Sequence, residues 1–540
     1  MSTPPPAHTL RELRREAKRL VKAVLARSPS ALERVAAHHP RHSRHSRHSR
    51  DSRDSRHSVT SDGARFQLAD AQLVLARERA FPSWPALLRD LERRAFLATE
   101  RAARAVELLD AICGRGWDAP STANLPRALA FLDADPSLGS HDFVLACVTG
   151  ALDEVRRRLA DDPSLATTPA GPRQWTPLVY VAFSILSRES SERAARLAEV
   201  GSLLLASGAP PHASYEAKVH GEAAPHPFPA LFGCVHVSDN LLLAERLLEA
   251  GATPNDSDTL YHAAERSDTR ALDLLARFGL EPGLLSYCLL HKIDFGHLDG
   301  VRWFLDHGAD PNVAHPNGHR AIHWAIMRPG PDAMTELLLE RGADPNLRTR
   351  AGHTALDLAE RWLGRVDLVG VIEQHGGRRS DRTPMDELIV AAAHGDEARV
   401  RMLLGARPDL IDAARRDAHP LVASFAACGS AEGACALVRI GFRSDTPSWM
   451  GMTALHWAAC RGNPKLAADL LALDVPSLDL PGCRTPLHTA LHRRWFGSRP
   501  GERDYAGVVR VLIDAGVTVP DDLEPCGDAE LDALIEAARG

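Results

Sequence analysis

Gly308-Ala309-Asp310-Pro311-Asn312 returns 34 residues later as Gly342-Ala343-Asp344-Pro345-Asn346. Between the two copies, Arg320-Ala321-Ile322-His323-Trp324-Ala325 is matched by Thr354-Ala355-Leu356-Asp357-Leu358-Ala359, again 34 residues on. Two motifs that keep one spacing mark an internal repeat, and a unit of this length buries its apolar face only by stacking on its neighbours. The sequence therefore predicts a solenoid.

The same marks recur outside this stretch, and each has a mechanical reason. In Thr485-Pro486-Leu487-His488 the threonine can cap a helix by accepting from a backbone N–H. The proline follows at the first helical position, where its missing N–H costs no hydrogen bond. Gly395, Gly429 and Gly462 follow short helical runs, where glycine adopts the left-handed turn at little cost. We therefore predict pairs of short helices joined by turns.

The Thr-Pro-Leu-His start and the Gly-Ala-Asp-Pro-Asn end resemble the ankyrin repeat. The resemblance implies an all-α ankyrin-repeat solenoid of helix-turn-helix units with β-hairpin or loop tips. Helix pairs can be traced over 98–525, for which we expect about ten or eleven repeats, and 526–540 would be a C-terminal capping helix. Extra length at 209–227 and 493–505 would form loops on one face.

Further landmarks resemble one bacterial family of ankyrin-repeat proteins that has no assigned catalytic activity. The resemblance covers most of the chain except residues 38–64. The landmarks are Gly171-Pro172-Arg173-Gln174-Trp175-Thr176-Pro177-Leu178-Val179-Tyr180, Pro254-Asn255-Asp256 before Leu260-Tyr261-His262-Ala263, Gly497-Ser498-Arg499 before Asp504-Tyr505, and the segment 66–84 ahead of the array.

Residues 1–40 have the pattern of one N-terminal helix over 9–37. The triplet Arg-His-Ser then runs through 41–58, with Asp replacing His at two places, and offers no apolar side chain to bury. We predict a disordered, low-complexity insertion at 41–64. Slippage of a repeated codon block, an arm that is phosphorylated or contacts nucleic acid, and metal capture by the histidines all stay open as its interpretation.

Residues 65–97 are compact and aromatic, and they form a small helical segment of their own. We expect Leu68, Leu75 and Phe81 to pack, and Ser83 to cap a helix that starts at Trp84. The segment is either a modest domain or a cap for the array. Capping is the preferred interpretation, because terminal repeats need a polar outer face.

Composition narrows the class of protein. The formal net charge is −6, so no global basic field attracts nucleic acid or an acidic membrane. No run approaches a membrane span, and the N-terminus lacks the apolar core of a signal peptide. High alanine and arginine content suggests a GC-rich, bacterial genome. We expect a cytoplasmic protein that acts as a monomer and binds no membrane.

The motifs of common enzymes are missing from the sequence. There is no phosphate-binding loop ending in Gly-Lys, no His-Glu-x-x-His and no Gly-x-Ser-x-Gly. We therefore expect no enzyme, no cofactor, no small-molecule substrate and no metal site. A modifying enzyme near His38, His39 or Glu78 is the least favoured alternative. The nine cysteines form no Cys-x-x-Cys pair, so we expect them to be buried small side chains.

Four histidines, at positions 262, 323, 456 and 488, are assigned to one place in the repeat, after an apolar residue of the first helix. A residue that recurs at the repeat period serves the repeat, so we expect each to bond the backbone of a neighbouring unit. A polar junction at Gly377-Arg378-Arg379-Ser380 interrupts the pattern. The array is either continuous there or split.

The most favoured function is recognition of an unidentified protein through the concave face and the hairpin tips. Nucleic-acid contact through the tract at 41–58 is the alternative. Trp324 and Trp457 would either pack between repeats or anchor a partner. The remaining candidate contact residues are Trp175, Trp449 and Met450 on hairpin tips, and Arg493, Arg494, Trp495, Phe496 and Arg499 on the longer insertion.

Overall fold

A computed structural model describes most of the chain, and its fold is the predicted all-α ankyrin solenoid, with 65% helix and 2% strand. Two compact units, Met1–Ala252 and Thr253–Gly540, are described separately. Among the described residues, no helix is both long and apolar enough to cross a membrane. The described residues are 10–39, 66–116, 122–219, 224–256, 258–328, 333–448, 451–473, 485–491, 503–517, 519, 526 and 528–539.

The first unit opens with four helices, continues with helix pairs and contains one β-hairpin. Short 3-10 turns lie at Pro136–Ser140, Pro163–Ala166 and Ile185–Arg188, and a π turn lies at Gly233–Val237. The main elements are α1 (Leu10–Leu25), α2 (Pro29–His38), α3 (Leu68–Glu78), α4 (Trp84–Ala98), α5 (Arg101–Cys113), α6 (Leu125–Ala134), α7 (Phe143–Thr149), α8 (Leu152–Asp161), α9 (Pro177–Ala182), α10 (Ser191–Ala206), β1 (Ser214–Ala217), β2 (His226–Pro229), α11 (Ala230–Phe232) and α12 (Leu241–Glu249).

The second unit continues the helix pairs. A π turn lies at Leu358–Trp362 and a 3-10 turn at Val366–Leu368. The helices are α13 (Thr259–Ala263), α14 (Arg270–Ala276), α15 (Pro282–Asp294), α16 (Leu298–Asp306), α17 (Ala321–Met327), α18 (Ala333–Glu340), α19 (Ala355–Asp357), α20 (Val369–Gln374), α21 (Pro384–Ala393), α22 (Glu397–Ala406), α23 (Asp409–Arg416), α24 (Leu421–Cys428), α25 (Ala431–Ile440), α26 (Ala454–Cys460), α27 (Pro464–Ala472), α28 (Pro486–Leu491), α29 (Tyr505–Asp514) and α30 (Ala529–Ala538).

Successive pairs stack in two layers within the second unit. First helices contact first helices, as α13, α15 and α17 do, and second helices contact second helices, as α16, α18 and α20 do. The described residues form twelve helix pairs, more than the ten or eleven expected. The predicted last helix is present as α30, capped by Asp528.

The N-terminal helix predicted over 9–37 is in fact two helices, α1 and α2. The chain turns between them at Arg27, whose φ is 55°. The cause lies in Ser28-Pro29, because the residue before a proline is disfavoured in helical conformation while proline itself suits a helix start. The predicted insertion at 41–64 lies outside the described residues.

The first four helices have a small core of their own. Leu75 is buried at its centre and Phe81 is partly buried beside it, as predicted, but Leu68 faces solvent. Arg34 of α2 joins α1 to α3, because it bonds Glu16 at 3.0 Å and Glu78 at 2.6 Å. These charge-assisted bonds fix helices whose apolar contact area is small.

α4 belongs both to this core and to the first repeats. Ser83 caps it as predicted, since its side chain accepts from the backbone N–H of Ala86 at 3.4 Å. At the other end, Phe96 stacks on Phe131 of α6 with ring centroids 3.8 Å apart. A cap for the array would make such a contact.

The Asn of the Gly-Ala-Asp-Pro-Asn motif joins its own repeat to the next one. The amide Nδ2 of Asn312 donates to the carbonyl of Gly342 at 2.9 Å, and its Oδ1 accepts from the N–H of Asp344 at 2.8 Å. The same pair of bonds, with the same lengths, recurs at Asn255 and at Asn346. One side chain thus satisfies two backbone groups at the boundary between neighbouring repeats.

The polar junction at 377–380 does not interrupt the array. Asn346 reaches across it, accepting from the N–H of Arg378. Behind this bond, Glu360 is 2% exposed and is bound by Arg379 at 3.3 Å, by Arg382, and by His394 of α21 at 3.2 Å. A buried carboxylate needs such partners, and here they come from the junction itself and from the chain beyond it, while Glu360 precedes it.

The eight cysteines in the described ranges are all free, and seven are buried. Burial raises the pKa of the Cys113 thiol to about 12, so this side chain stays protonated and packs as a small apolar group. The interpretation of the cysteines as buried small side chains is confirmed for these seven, whereas Cys526 is partly exposed. Cys483 lies outside the described residues.

Three of the four histidines occupy the predicted place, but His262 does not. His323 Nδ1 accepts from the N–H of Arg320 at 3.2 Å, while Nε2 lies 3.1 Å from the carbonyl of Leu347 in the next repeat. His456 likewise bonds its cap residue, Thr453, at 2.8 Å. His262 is one position further along and bonds Glu265 instead, because Tyr261 stands at the equivalent position.

Replacing Asn346 by Ala should lower the free energy of unfolding by about 1–2 kcal/mol, because a carbonyl and an N–H lose their partner together. Chemical denaturation followed by circular dichroism measures the loss. Gln374→Ala, at an exposed position of the same repeat, is the control and should change stability by less than about 0.5 kcal/mol. Equal effects of the two substitutions would contradict the bridging role.

Protonation of His323 should destabilise the fold in acid. Burial lowers the pKa of His323 to about 4, below its ordinary value near 6.5, so the unfolded chain takes up the proton first as pH falls. The stability advantage of wild type over His323→Gln should therefore shrink by about 2 kcal/mol between about pH 7 and about pH 4.5. Carboxylates titrate in both proteins and cancel, and an unchanged difference would refute the assignment.

Candidate functional site

Trp175, predicted at an exposed tip, is buried. It is 6% exposed, and its ring stacks on Tyr215 of β1 with centroids 4.2 Å apart. Tyr215 is paired in register with Phe228 of β2, so the insertion at 209–227 supplies a hairpin that packs on Trp175. The predicted exposed position is wrong, because the extra chain folds back onto this tryptophan and leaves little of its ring for a partner.

Arg173 also packs against Trp175. Its guanidinium lies 5.2 Å from the Trp175 ring and pairs with Asp110 of α5. Its backbone N–H donates to the hydroxyl of Tyr180 at 3.2 Å. The residues 171–180, identified above as a family landmark, therefore build the packing of the first unit.

Trp457 is also buried, at 4% exposure, and its Nε1 donates to Ser448 Oγ at 2.7 Å. Of the two alternatives for Trp457, packing inside the array agrees with this burial, which leaves little of the ring for a partner. Seven further candidates lie outside the described residues: Trp449, Met450, Arg493, Arg494, Trp495, Phe496 and Arg499.

Trp175→Ala should destabilise the first unit by about 3–5 kcal/mol, the usual cost of removing a large buried aromatic side chain. Thermal unfolding measured by circular dichroism would show it as a clear fall in midpoint. Leu242→Ala, at a 49% exposed position of the same unit, should leave the midpoint nearly unchanged. A small effect of Trp175→Ala would mean that the hairpin does not depend on it.

Exposed aromatic side chains instead lie along α15 in the second unit. Tyr287 is 47% exposed and Phe295, directly after the helix, is 39% exposed. His291 lies between them, so the three are four residues apart and share one side of the helix. The opposite side carries buried residues such as Leu289. This stripe was not predicted: the four-residue spacing of its aromatic residues is visible in the sequence, but the spacing does not say which side of the helix is exposed.

Tyr261 of α13 extends this surface to the neighbouring repeat. Its ring stacks on His291 with centroids 3.6 Å apart and planes 11° apart. Tyr261 also lies 6.0 Å from Tyr287, and His291 lies 5.1 Å from Phe295. The four rings support one another in fixed positions.

Trp324 of α17 extends the surface in the other direction. Its Nε1 donates to Asp294 Oδ1 at 2.6 Å, and Arg328 donates to the same oxygen at 2.5 Å. The Arg328 guanidinium lies 4.9 Å from the centre of the tryptophan ring. The partly exposed Trp324 is thus tied to the end of α15. We call Tyr261, Tyr287, His291, Phe295 and Trp324 the aromatic face.

A buried lysine fixes α15 from beneath. The Lys292 side chain is 0% exposed, and its Nζ donates to the carbonyl of Arg266 at 2.5 Å. Burial lowers the pKa of Lys292 to about 8. It passes over Gly300 of α16 so closely that a Cβ there would lie 1.7 Å from Cε. A side chain at Gly300 would therefore have to displace the buried lysine that lies between α15 and α16.

The hairpin tips of three successive repeats lie beside one another in the same unit. Arg320 donates to the carbonyl of Arg348 at 2.8 Å, and Arg350 donates back to that of Pro316 at 2.6 Å. Arg348 in turn donates to Ser380 at 3.0 Å. Arginines of the first two tips thus bond backbone or hydroxyl groups of an adjacent tip.

Family models match the chain in two places. Residues 285–377 match the model for ankyrin repeats in three copies, and residues 450–479 match the model for a single ankyrin repeat. The chain contains ankyrin repeats. The longer match contains most of the aromatic face and the first two of the adjacent tips.

Two solved structures are similar over part of the protein. The ankyrin repeat domain of human ASB11 is 17% identical, with a TM-score of 0.33, and the alignment covers 44% of this chain and 99% of that one. EF0377, an ankyrin repeat protein, is 21% identical, with a TM-score of 0.28, and the alignment covers 35% and 96% respectively. A search of curated proteins found no match.

Proposed function

We propose that this ankyrin-repeat protein recognises a partner protein through the aromatic face. Ankyrin repeats generally mediate protein–protein interaction. The observation that carries the proposal is the exposure of Tyr287 and Phe295 on a helix whose other side is buried. Large aromatic side chains are enriched among the residues that dominate binding energy.

The geometry of the face suits recognition. Tyr261 and His291 stack, and Trp324 is held by its bond to Asp294, so these rings lose little freedom when a partner docks. The face has polar groups as well as apolar ones, including the imidazole of His291 and the guanidinium of Arg328. A partner would bury ring surface at the centre and bond these groups at the edge.

The proposal includes the sequence-based expectations of a cytoplasmic protein that works as a monomer. It assigns no catalysis to the N-terminal helices. His39 and Glu78, the residues near which an enzyme was considered, make structural contacts there: His39 bonds Asp70 at 3.0 Å, and Glu78 bonds Arg34. Rigid presentation of preformed surfaces is the proposed mechanism.

Substituting Tyr287→Ala and Phe295→Ala together should abolish capture of the partner. The full-length protein is immobilised, exposed to lysate of the cells that encode it, and the retained proteins are quantified by mass spectrometry. Because central aromatic residues each contribute more than about 1–2 kcal/mol to typical interfaces, the double variant should retain less than about a tenth of the partner.

Met402→Ala is the matched control, since Met402 is 51% exposed on α22 of the same unit and lies outside the aromatic face. Circular dichroism spectra must show that all variants are equally folded. Retention of the same proteins by wild type and by the double variant would exclude the aromatic face as the recognition surface.

A further inference from the structure

A second surface in the same unit is distinguished by charge. The first two of the three tips, 313–320 and 347–353, contain three arginines and three histidines but no aspartate or glutamate. The third tip adds Arg378, which is exposed. We call Arg320, Arg348, Arg350 and Arg378 the basic ridge.

The basic ridge stands out because the whole chain has a net charge of −6. Its four arginines form no ion pair with any carboxylate in the described part of the chain. Arg379 and Arg382, in the same stretch of sequence, differ from them because both are bound to the buried Glu360. Asp310 and Asp344 lie at the base of the tips and accept from the backbone.

The ridge is preorganised. The bonds from Arg320 to Arg348 and from Arg350 to Pro316 hold the two guanidinium groups in place. Each bond uses only some of the N–H donors of its guanidinium. Arginine has five N–H donors, so each group keeps capacity for a carboxylate. A substitution at Gly318 would disturb this, because a Cβ there would lie 2.8 Å from the backbone nitrogen of Arg350.

Aromatic rings adjoin the tips. Trp324 lies 5.2 Å from His315 of the first tip, and Trp362 lies 4.8 Å from His353 of the second. Trp324 also belongs to the aromatic face. A ligand seated on the ridge would therefore be in contact with the surface that the proposed function assigns to the partner.

We infer that the basic ridge binds an acidic segment of the partner protein, a run of aspartate or glutamate side chains that crosses the three tips. This inference rests on the proposed function and specifies the chemistry of the partner. Carboxylates fit the unpaired guanidinium groups in charge and in geometry. Unpaired like charges along the ridge also repel a basic partner, which gives selectivity.

An acidic peptide suits the ridge better than a nucleic acid does. The four arginines form a short patch on a chain of negative net charge, and a long polyanion would extend beyond the patch into a repulsive field. A peptide of about ten residues spans a few tips and no more.

The test uses the full-length protein and a fluorescein-labelled peptide of ten glutamates. Fluorescence anisotropy should show binding that weakens as sodium chloride is raised, and a peptide of ten glutamines should not bind. Arg350→Glu with Arg378→Glu should weaken binding by at least about tenfold, because two attractive charges become repulsive. Both positions are exposed, and circular dichroism checks that the variant folds.

Arg401→Glu with Arg415→Glu is the control, because it makes the same change of net charge at exposed positions elsewhere in the unit. It should leave the affinity within about twofold of wild type. Equal loss with both double variants, binding of the glutamine peptide, or absence of binding by wild type would overturn the inference. Tighter binding of an oligothymidylate of ten nucleotides would show that the ridge is a nucleic-acid site instead.

The outcomes for the two surfaces are separable. If the glutamate peptide fails to bind while capture of a partner still depends on Tyr287 and Phe295, the proposed function stands and the acidic partner is wrong. If the peptide binds through Arg350 and Arg378 but no partner depends on the aromatic face, the proposed function fails on its own.

Discussion

The structure depends on the contact between neighbouring repeats, which we call the joint and which no single repeat can make. Each pair of short helices leaves an apolar side uncovered, so it is stable only against the next pair. At the edge of this joint, the side-chain amide of Asn312 bonds a carbonyl and an N–H of the following repeat. The aromatic face and the basic ridge both lie across such joints, and their geometry is inherited from them.

The sequence predicted the helix caps and the glycine turns, which depend only on residues a few positions apart. Thr485 and Ser83 cap helices as expected, and Gly395, Gly429 and Gly462 have positive φ values of 68°, 90° and 60°. These positions could be recognised because a cap or a left-handed turn needs a particular residue type within a few positions of the chain. The repeat itself was readable for the same reason.

The environment of Trp175 could not be predicted, because it is decided by a hairpin about forty residues away. Sequence showed that the insertion existed but not that Tyr215 would pack on the tryptophan. The candidate site was predicted only at Trp324. Tyr287 and Phe295 were assigned to no surface, since their exposure depends on which side of α15 faces the adjoining helices.

The amide of Asn346 bonds only main-chain atoms of the following repeat, so these two bonds do not depend on that repeat's side chains. A copy of one repeat, inserted in frame by tandem duplication of its gene segment, could form the same two bonds with the repeat that follows it. A change in the length of such a protein by a whole repeat would therefore preserve this connection, whichever residues the surface of the new repeat carries.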